Sequence, residues 1–396
     1  MKATLRGSII QRSKTSWTIV LSMGRDPITA KRKQQWVSVK GTKKDAEKRL
    51  AELLRHLDTG GYVKPTKETV GEFLLRWLRD YAWPNVAPST AEGYQHVIKR
   101  HLIPALGAVP LNQLRPDHVQ AYAAAKLESG RIAGGGLSPK TVRHHLVTLH
   151  DALATAMRWG LVSRNVVDAV DKPRAERKEM ATFDESGFWR FLEAAKETSY
   201  YALFYTALFT GLRRGELLAL RWDDVDLILS QVSVSRSVHQ LDTGAIVYRQ
   251  PKTAKGRRLV ALSPSIVRVL QDHHGRRQAE CILLGQSLDG SHLVFSQADG
   301  SSLLPDSVTH AWIKLVRRTG FAGLRLHDAR HTHATRLLRM GVHPKIVQER
   351  LGHATIGTTL DIYSHVVPGM QQAAADRFDR PIVETLHVSP ASVGAN

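Results

Sequence analysis

Cysteine is all but missing from this chain: Cys281 is the only one in 396 residues. A single thiol excludes an internal disulfide and any cysteine-built metal site, and it fits a reducing compartment. Lying before Ile-Leu-Leu, Cys281 reads as a small core residue rather than a reactive thiol. Long apolar runs are missing too. No stretch is long enough to cross a bilayer as a helix, and the polar, basic start lacks the apolar centre of a signal peptide, so the expected location is the cytoplasm. The third shortage is of acidic residues, with 36 Asp+Glu against 56 Lys+Arg and a formal net charge of +20. So large an excess in a chain without membrane segments argues for a polyanionic partner, nucleic acid foremost.

The positive charge is concentrated at the front, where residues 1–60 hold 14 Lys+Arg and 5 Asp+Glu. There SWTIVLSM and QQWVSVK alternate as strands do, and TKKDAEKRLAELLRHL has the period of a helix. A small α+β domain over 1–62, a three-stranded sheet with one helix, is the expectation. Residues 66–168 read as helical throughout. In APSTAEGYQHVIKRHLIPALG, Ser89 and Glu92 have the spacing of a capping box, and Tyr94, Val97, Ile98 and Leu102 share a face. In LSPKTVRHHLVTLHDALATAMRWGLV, Ser138 is the expected cap, Pro139 takes the first turn, and Val142, Leu146, Leu149, Leu153 and Met157 form the apolar stripe. Lys99, Arg100, Lys140, Arg143 and His144 are left outside as a basic face. The polar run DKPRAERKEM marks a linker over 169–180. From 181 to 366 helices flank a hairpin made from QVSVSRSVHQ and GAIVYRQPKTAKGRRLVAL, which predicts a mixed, mostly helical domain. PGMQQAAADRFDR then suggests a short helix before a small-residue tail, together 367–396. The expected fold class is multidomain, mainly α with small antiparallel sheets.

The chemistry-bearing residues lie in the third segment. TGLRRGELLALRW contains Arg213, HDARHTHAT contains His327 and Arg330, and LGHATIGTTLDIYSH contains His353 and ends near Tyr363. Breaking a phosphodiester without a metal needs a nucleophile, a neutraliser of phosphate charge and a proton donor for the leaving oxygen. Guanidinium suits the second task because it stays charged and presents a planar fork of donors. A phenol has an ordinary pKa of about 10, so Tyr363 needs neighbours that accept its proton or stabilise phenolate. Other readings compete. His327 and His331 are four apart, as zinc ligands on a helix are, but Asp328 stands where a zinc-protease motif has Glu, and Arg330 would repel a cation. Asp223, Asp224 and Asp226 could suggest a two-metal nuclease, yet short acidic residues where a helix gives way to a strand favour turns.

Taken together, these segments resemble those of the tyrosine recombinases of the phage-integrase family, and the resemblance runs over nearly the whole chain. It implies that Arg213 and Arg330 clamp the phosphate, with Glu216 supporting Arg213. It gives His327 as proton acceptor or donor, His353 as a hydrogen-bonding residue and Tyr363 as nucleophile. The spacing of Arg213 and Glu216 places both on one helix face, with Arg214 turned away by about 100°. A family lysine in the hairpin corresponds to Lys252 as general acid, with Lys255 in the same turn as the alternative. The front domain resembles an arm-type DNA-binding domain, and residues 66–168 a core-binding domain that grips the duplex opposite the catalytic domain. The implied function is site-specific recombination for a prophage or other mobile element, through a 3′-phosphotyrosyl intermediate and a Holliday junction, with no cofactor, metal or ATP. Implied partners are double-stranded DNA, in core and arm sequences, and three further copies in a homotetramer on DNA; the resemblance also allows for a DNA-bending host factor and an excisionase. The implied setting is the bacterial nucleoid. Alternatives are a resolvase or type IB topoisomerase-like enzyme, and a DNA-binding protein whose catalytic site has lapsed.

Overall fold

The computed structural model describes residues 7–25, 32–58, 67–131, 134–175, 180–250, 257–363, 375, 376 and 378. The chain divides into two compact units, Met1–Arg177 and Lys178–Asn396.

The first unit has two separate apolar cores. At its front, strands β1 (Gly7–Ser13), β2 (Ser16–Arg25) and β3 (Arg32–Lys40) form an antiparallel sheet in that order, followed by the helix Lys43–Asp58. β1 was not evident from any alternating apolar run, because its pattern GSIIQRS is half polar and largely exposed. The period-2 rule puts Ile19 and Leu21 on the helix side of β2, where both are fully buried with Leu53. The opposite face carries Arg12 and the half-exposed Trp36, whose ring lies 5.8 Å from the Arg12 guanidinium carbon.

The helical part is built around Pro139–Arg158. Ser138 caps it, its hydroxyl accepting from the Thr141 N–H at 3.1 Å, with Pro139 in the first turn as expected. Val142, Leu146, Leu149 and Leu153 are buried, but Met157 is exposed: the stripe closes on Ala156 instead, and Met157 falls past it in the last turn. A second correction concerns Pro88–Val97. Its N-cap is Ala87 rather than Ser89, because the fixed φ of Pro88 suits the first helical position and starts the helix before the expected capping box. Lys99, Arg100, Lys140, Arg143 and His144 are all exposed.

The second unit packs helices Glu185–Ala195, Tyr201–Thr210, Pro264–Leu283, Pro305–Arg318 and Leu326–Arg339 around one large core with Trp312, Phe191 and Phe204 at its centre. Instead of one long hairpin, the strands make two small sheets. β4 (Val225–Asp226), β5 (Gln231–Val234) and β8 (Arg258–Ala261) form one, and β6 (Ser237–Gln240) and β7 (Ile246–Arg249) the other. The break falls at Ser235 and Arg236, which turn to bond the Asp224 carboxylate, each at 3.2 Å. Asp224 also accepts from the Arg221 N–H, and Asp226 from the N–H groups of Ile228 and Leu229, so these two acids hold turns together. Cys281 is buried in the last turns of Pro264–Leu283. No described helix is long and apolar enough to cross a membrane. The predicted helix in PGMQQAAADRFDR lies outside the described residues except for 375, 376 and 378.

Candidate active site

Two helix C-termini in the second unit point their unsatisfied carbonyls at the same group of cations. Tyr201–Thr210 ends at Gly211, in the left-handed conformation at φ 66°. At this end the carbonyl of Gly211 accepts from Arg330 Nη1 at 2.9 Å and that of Phe209 from Arg350 Nη2 at 3.1 Å. Pro344–Leu351 ends at Gly352, also left-handed at φ 67°. There the Leu351 carbonyl accepts from Arg330 Nη2 at 2.6 Å and the Arg350 carbonyl from Arg258 Nε at 2.8 Å. A helix C-terminus carries about half a negative charge and several orphan acceptors. Two such ends let buried guanidinium groups stay close together before any phosphate arrives.

Arg213 and Glu216 stand beside them, by a different route from the one expected. Arg213 is not on a helix face: it is the N-cap of the single-turn helix Arg214–Leu217, with extended backbone. Capping does the work assigned to helical spacing. Glu216 reaches back to accept from the Arg213 N–H at 2.9 Å and from its Nη1 at 2.7 Å. Arg214 does turn away, donating to Pro305 O and Thr309 Oγ1 on the helix Pro305–Arg318. Glu216 also takes both terminal nitrogens of Arg258, at 3.2 and 2.8 Å. Burial alone would raise the Glu216 carboxyl, but the hydrogen bonds and charge of Arg258, then the charge of Arg213, bring it down to about 2.

The helix Leu326–Arg339 contributes Arg330 and four further groups, His327, Asp328, His331 and His333. Arg330 is 2% exposed and forms the floor of the site, whereas Arg213 keeps 41% of its side chain in solvent and forms an open wall. His327 is exposed, yet partial desolvation and then the Arg330 cation lower its pKa. His331 stacks edge-on against it with ring centres 4.9 Å apart, and burial holds its pKa at about 4. His333 is structural: Arg350 Nε donates to its Nε2, so Nδ1 carries the proton and donates to Leu208 O at 3.0 Å. Asp328 is occupied with the Arg325 guanidinium and N–H. His353 is buried behind Gly352. Its Nδ1 pairs with Thr359 Oγ1 at 2.9 Å, and burial, then the charges of Arg330 and Arg213, depress its pKa to about 4. Arg213 and Arg330 thus act on both His327 and His353.

Tyr363 is the last residue of the helix Ile356–Tyr363, which begins three residues beyond His353. Its side chain, and Lys252 and Lys255 altogether, lie outside the described residues. Among the described residues no group of three or more His, Cys, Asp or Glu is arranged to hold a metal ion.

Comparison with known proteins places the chain in a family. The model of the Phage integrase family matches residues 180–369, and that of the phage integrase N-terminal SAM-like domain matches 69–127. An integrase of Streptomyces ambofaciens is 30% identical over 377 residues, 91% of this chain and 92% of the relative. The chain belongs to the phage integrase family. It is accordingly a tyrosine-type recombinase, a DNA breaking and rejoining enzyme. Two solved structures share its fold. One is the Tn1549 transposon integrase in complex with a circular intermediate DNA, with TM-score 0.65, 22% identity, 78% of this chain and 99% of that one. The other is a lambda integrase tetramer bound to a Holliday junction, with TM-score 0.55, 19% identity, 90% of this chain and 94% of that one.

In this integrase three supporting groups escaped the reading of the sequence: Arg258, Arg350 and Gly211. For Arg258 a signal existed, since alternation along RLVA puts it on the same strand face as the buried Val260. Gly211 makes a testable case. A Cβ there would meet Leu351 Cδ2 at 2.7 Å and the His333 ring at 2.8 Å, on a backbone that disfavours any side chain. Gly211→Ala is expected to cost roughly 3 kcal/mol, combining left-handed strain with overpacking. Denaturant unfolding of the full chain measures it; an unchanged midpoint would mean the close packing at Gly211 contributes nothing.

Proposed function

We propose that this integrase serves a prophage or other mobile element and cuts and rejoins DNA at a specific site through a bond between Tyr363 and a 3′ phosphate. In this reading Tyr363 attacks the phosphorus and the 5′ oxygen leaves. Arg213 meets the phosphate from the open wall, and the buried charge of Arg330 stabilises the crowded transition state from the floor. His327 and His353 are neutral near pH 7, as their lowered pKa values require, so each imidazole can accept the phenol's proton at a bare ring nitrogen or donate its ring N–H to a phosphate oxygen. Lys252 protonates the departing 5′ oxygen. The adduct conserves the energy of the broken bond, so a 5′ hydroxyl from a partner strand can reverse the attack without ATP. The observation that carries the reading is the meeting of Arg213, Arg330, His327 and His353, from three distant motifs, around one carboxylate and two helix C-termini.

Further parts of the proposal rest on the relatives. The lambda integrase captured as a tetramer on a Holliday junction supports four copies of this chain acting on two duplexes. The basic sheet of residues 7–40 supports an arm-site contact made by strands in a major groove, with backbone phosphates met by the surrounding Lys and Arg. The exposed Lys99, Arg100, Lys140 and Arg143 support a contact between the helical bundle and core-site DNA, with the bacterial nucleoid as the place of action. A host DNA-bending factor and an excisionase complete the proposed assembly.

The test is to incubate the full chain with supercoiled plasmid carrying its attachment site in EDTA, quench with detergent, and map the protein–DNA bond by mass spectrometry. The expected result is a nucleotide remnant on the Tyr363 peptide. A remnant on another residue, or cleavage only after magnesium is added, would overturn the assignment.

A further inference from the structure

Arg258 is a strongly buried cation of the site that the proposed chemistry does not use. Its side chain is 6% exposed, and it bonds to two separate elements of the site. Nη1 and Nη2 hold Glu216, the carboxylate that grips Arg213. Nε holds the carbonyl of Arg350, next to the Leu351 carbonyl that holds Arg330. Gly352 seals the arrangement, since a Cβ there would lie 3.0 Å from Arg258 Cδ and Nη1. One planar guanidinium therefore joins the turn that carries Arg213 to the helix end that anchors Arg330. It sits on β8, the strand entered directly from residues 251–256.

We infer that Arg258 is a positioning residue for DNA cleavage: it holds the Arg213 and Arg330 guanidinium groups in register with each other and ties that register to the strand that follows Lys252 and Lys255 in the chain. The inference rests on the recombinase reading, but it concerns a residue outside the reacting set. Arg258 has no role as a phosphate ligand here, because its ends are committed to Glu216 and to a main-chain carbonyl. Lysine cannot replace it fully. A single ammonium can satisfy one carboxylate oxygen or the carbonyl, but it lacks the fork that reaches all three acceptors.

The experiment compares wild type, R258K, R258Q, E216Q and the E216Q/R258Q double variant as full chains. Single-turnover cleavage of a nicked suicide substrate is read beside DNA affinity and thermal melting. Misplacement of the clamp should slow cleavage by R258Q about 100-fold, while the Kd for the DNA stays within about threefold because its phosphate and groove contacts are made elsewhere. R258K should recover part of the rate, the signature of a geometric rather than a merely volume-filling role. The double variant should be little worse than either single, since residues acting as one unit are not additive. If R258Q fails to melt cooperatively, R258K and the E216Q/R258K pair carry the same cycle. R258Q cleaving at the wild-type rate, additive losses, or equal loss in R258K and R258Q would each overturn the inference. If wild type itself formed no adduct, the recombinase reading would fall, and the coupling seen in melting would still decide whether Arg258 and Glu216 form one unit.

Discussion

Arg330→Gln is expected to slow DNA cleavage by about a thousandfold or more and to destabilise the catalytic unit at the same time. The rate loss follows from position. A guanidinium 2% exposed acts through protein rather than water, so its charge is poorly screened, and removal of one transition-state donor elsewhere costs 10²- to 10³-fold as an order of magnitude, about the lower bound for a full charge. The stability loss follows from what Arg330 leaves behind. The carbonyls of Gly211 and Leu351 lose their partners, and a buried acceptor left unpaired costs about 1–3 kcal/mol. Glutamine is shorter and has one NH₂ group, so it cannot reach both. Single-turnover cleavage and urea unfolding of the full chain read the two effects separately. A variant that kept cleavage within tenfold of wild type would remove Arg330 from the chemistry, whatever its stability.

The residues proposed to react were legible as candidates because each lies in a short motif with fixed neighbours: Arg213 in TGLRRGELL, His327 and Arg330 in HDARHTHAT, His353 in LGHAT. Their supports were not, because each depends on a contact between residues far apart in the chain. Nothing near Arg350 announces that its guanidinium serves Phe209 O and His333, or that its carbonyl serves Arg258. The same limit explains the errors. Helical spacing suggested the right partners in Arg213 and Glu216 for the wrong reason, since a capping carboxylate at N3 also sits three residues on. The single hairpin became two sheets because Asp224, read only as a turn residue, also draws Ser235 and Arg236 out of line.

Acid should unfold the catalytic unit well before it protonates most surface carboxylates. Three histidines of this unit are buried and neutral: His331 and His353 are held near 4 and His333 near 3, in each case first by desolvation and then by neighbouring cations. The ordinary histidine value is 6.5, so between about pH 6.5 and these lowered values the unfolded chain binds protons that the folded chain refuses. Stability is then complete above pH 6.5 and falls as pH drops towards 4. Glu216, held at about 2 against an ordinary 4.5, has the same sign in a lower window and adds its loss below about pH 4.5. At pH 5, about 1.5 units below the ordinary histidine value, each group costs roughly 2 kcal/mol, so the three together remove several kcal/mol from a unit whose whole stability is of that order. Between pH 7 and pH 5 at fixed ionic strength, the melting temperature should fall by on the order of 10 °C. A melting temperature that stayed level across that range would mean that these histidines are protonated in the folded enzyme, and that the site carries more positive charge near neutrality than the geometry assigns to it.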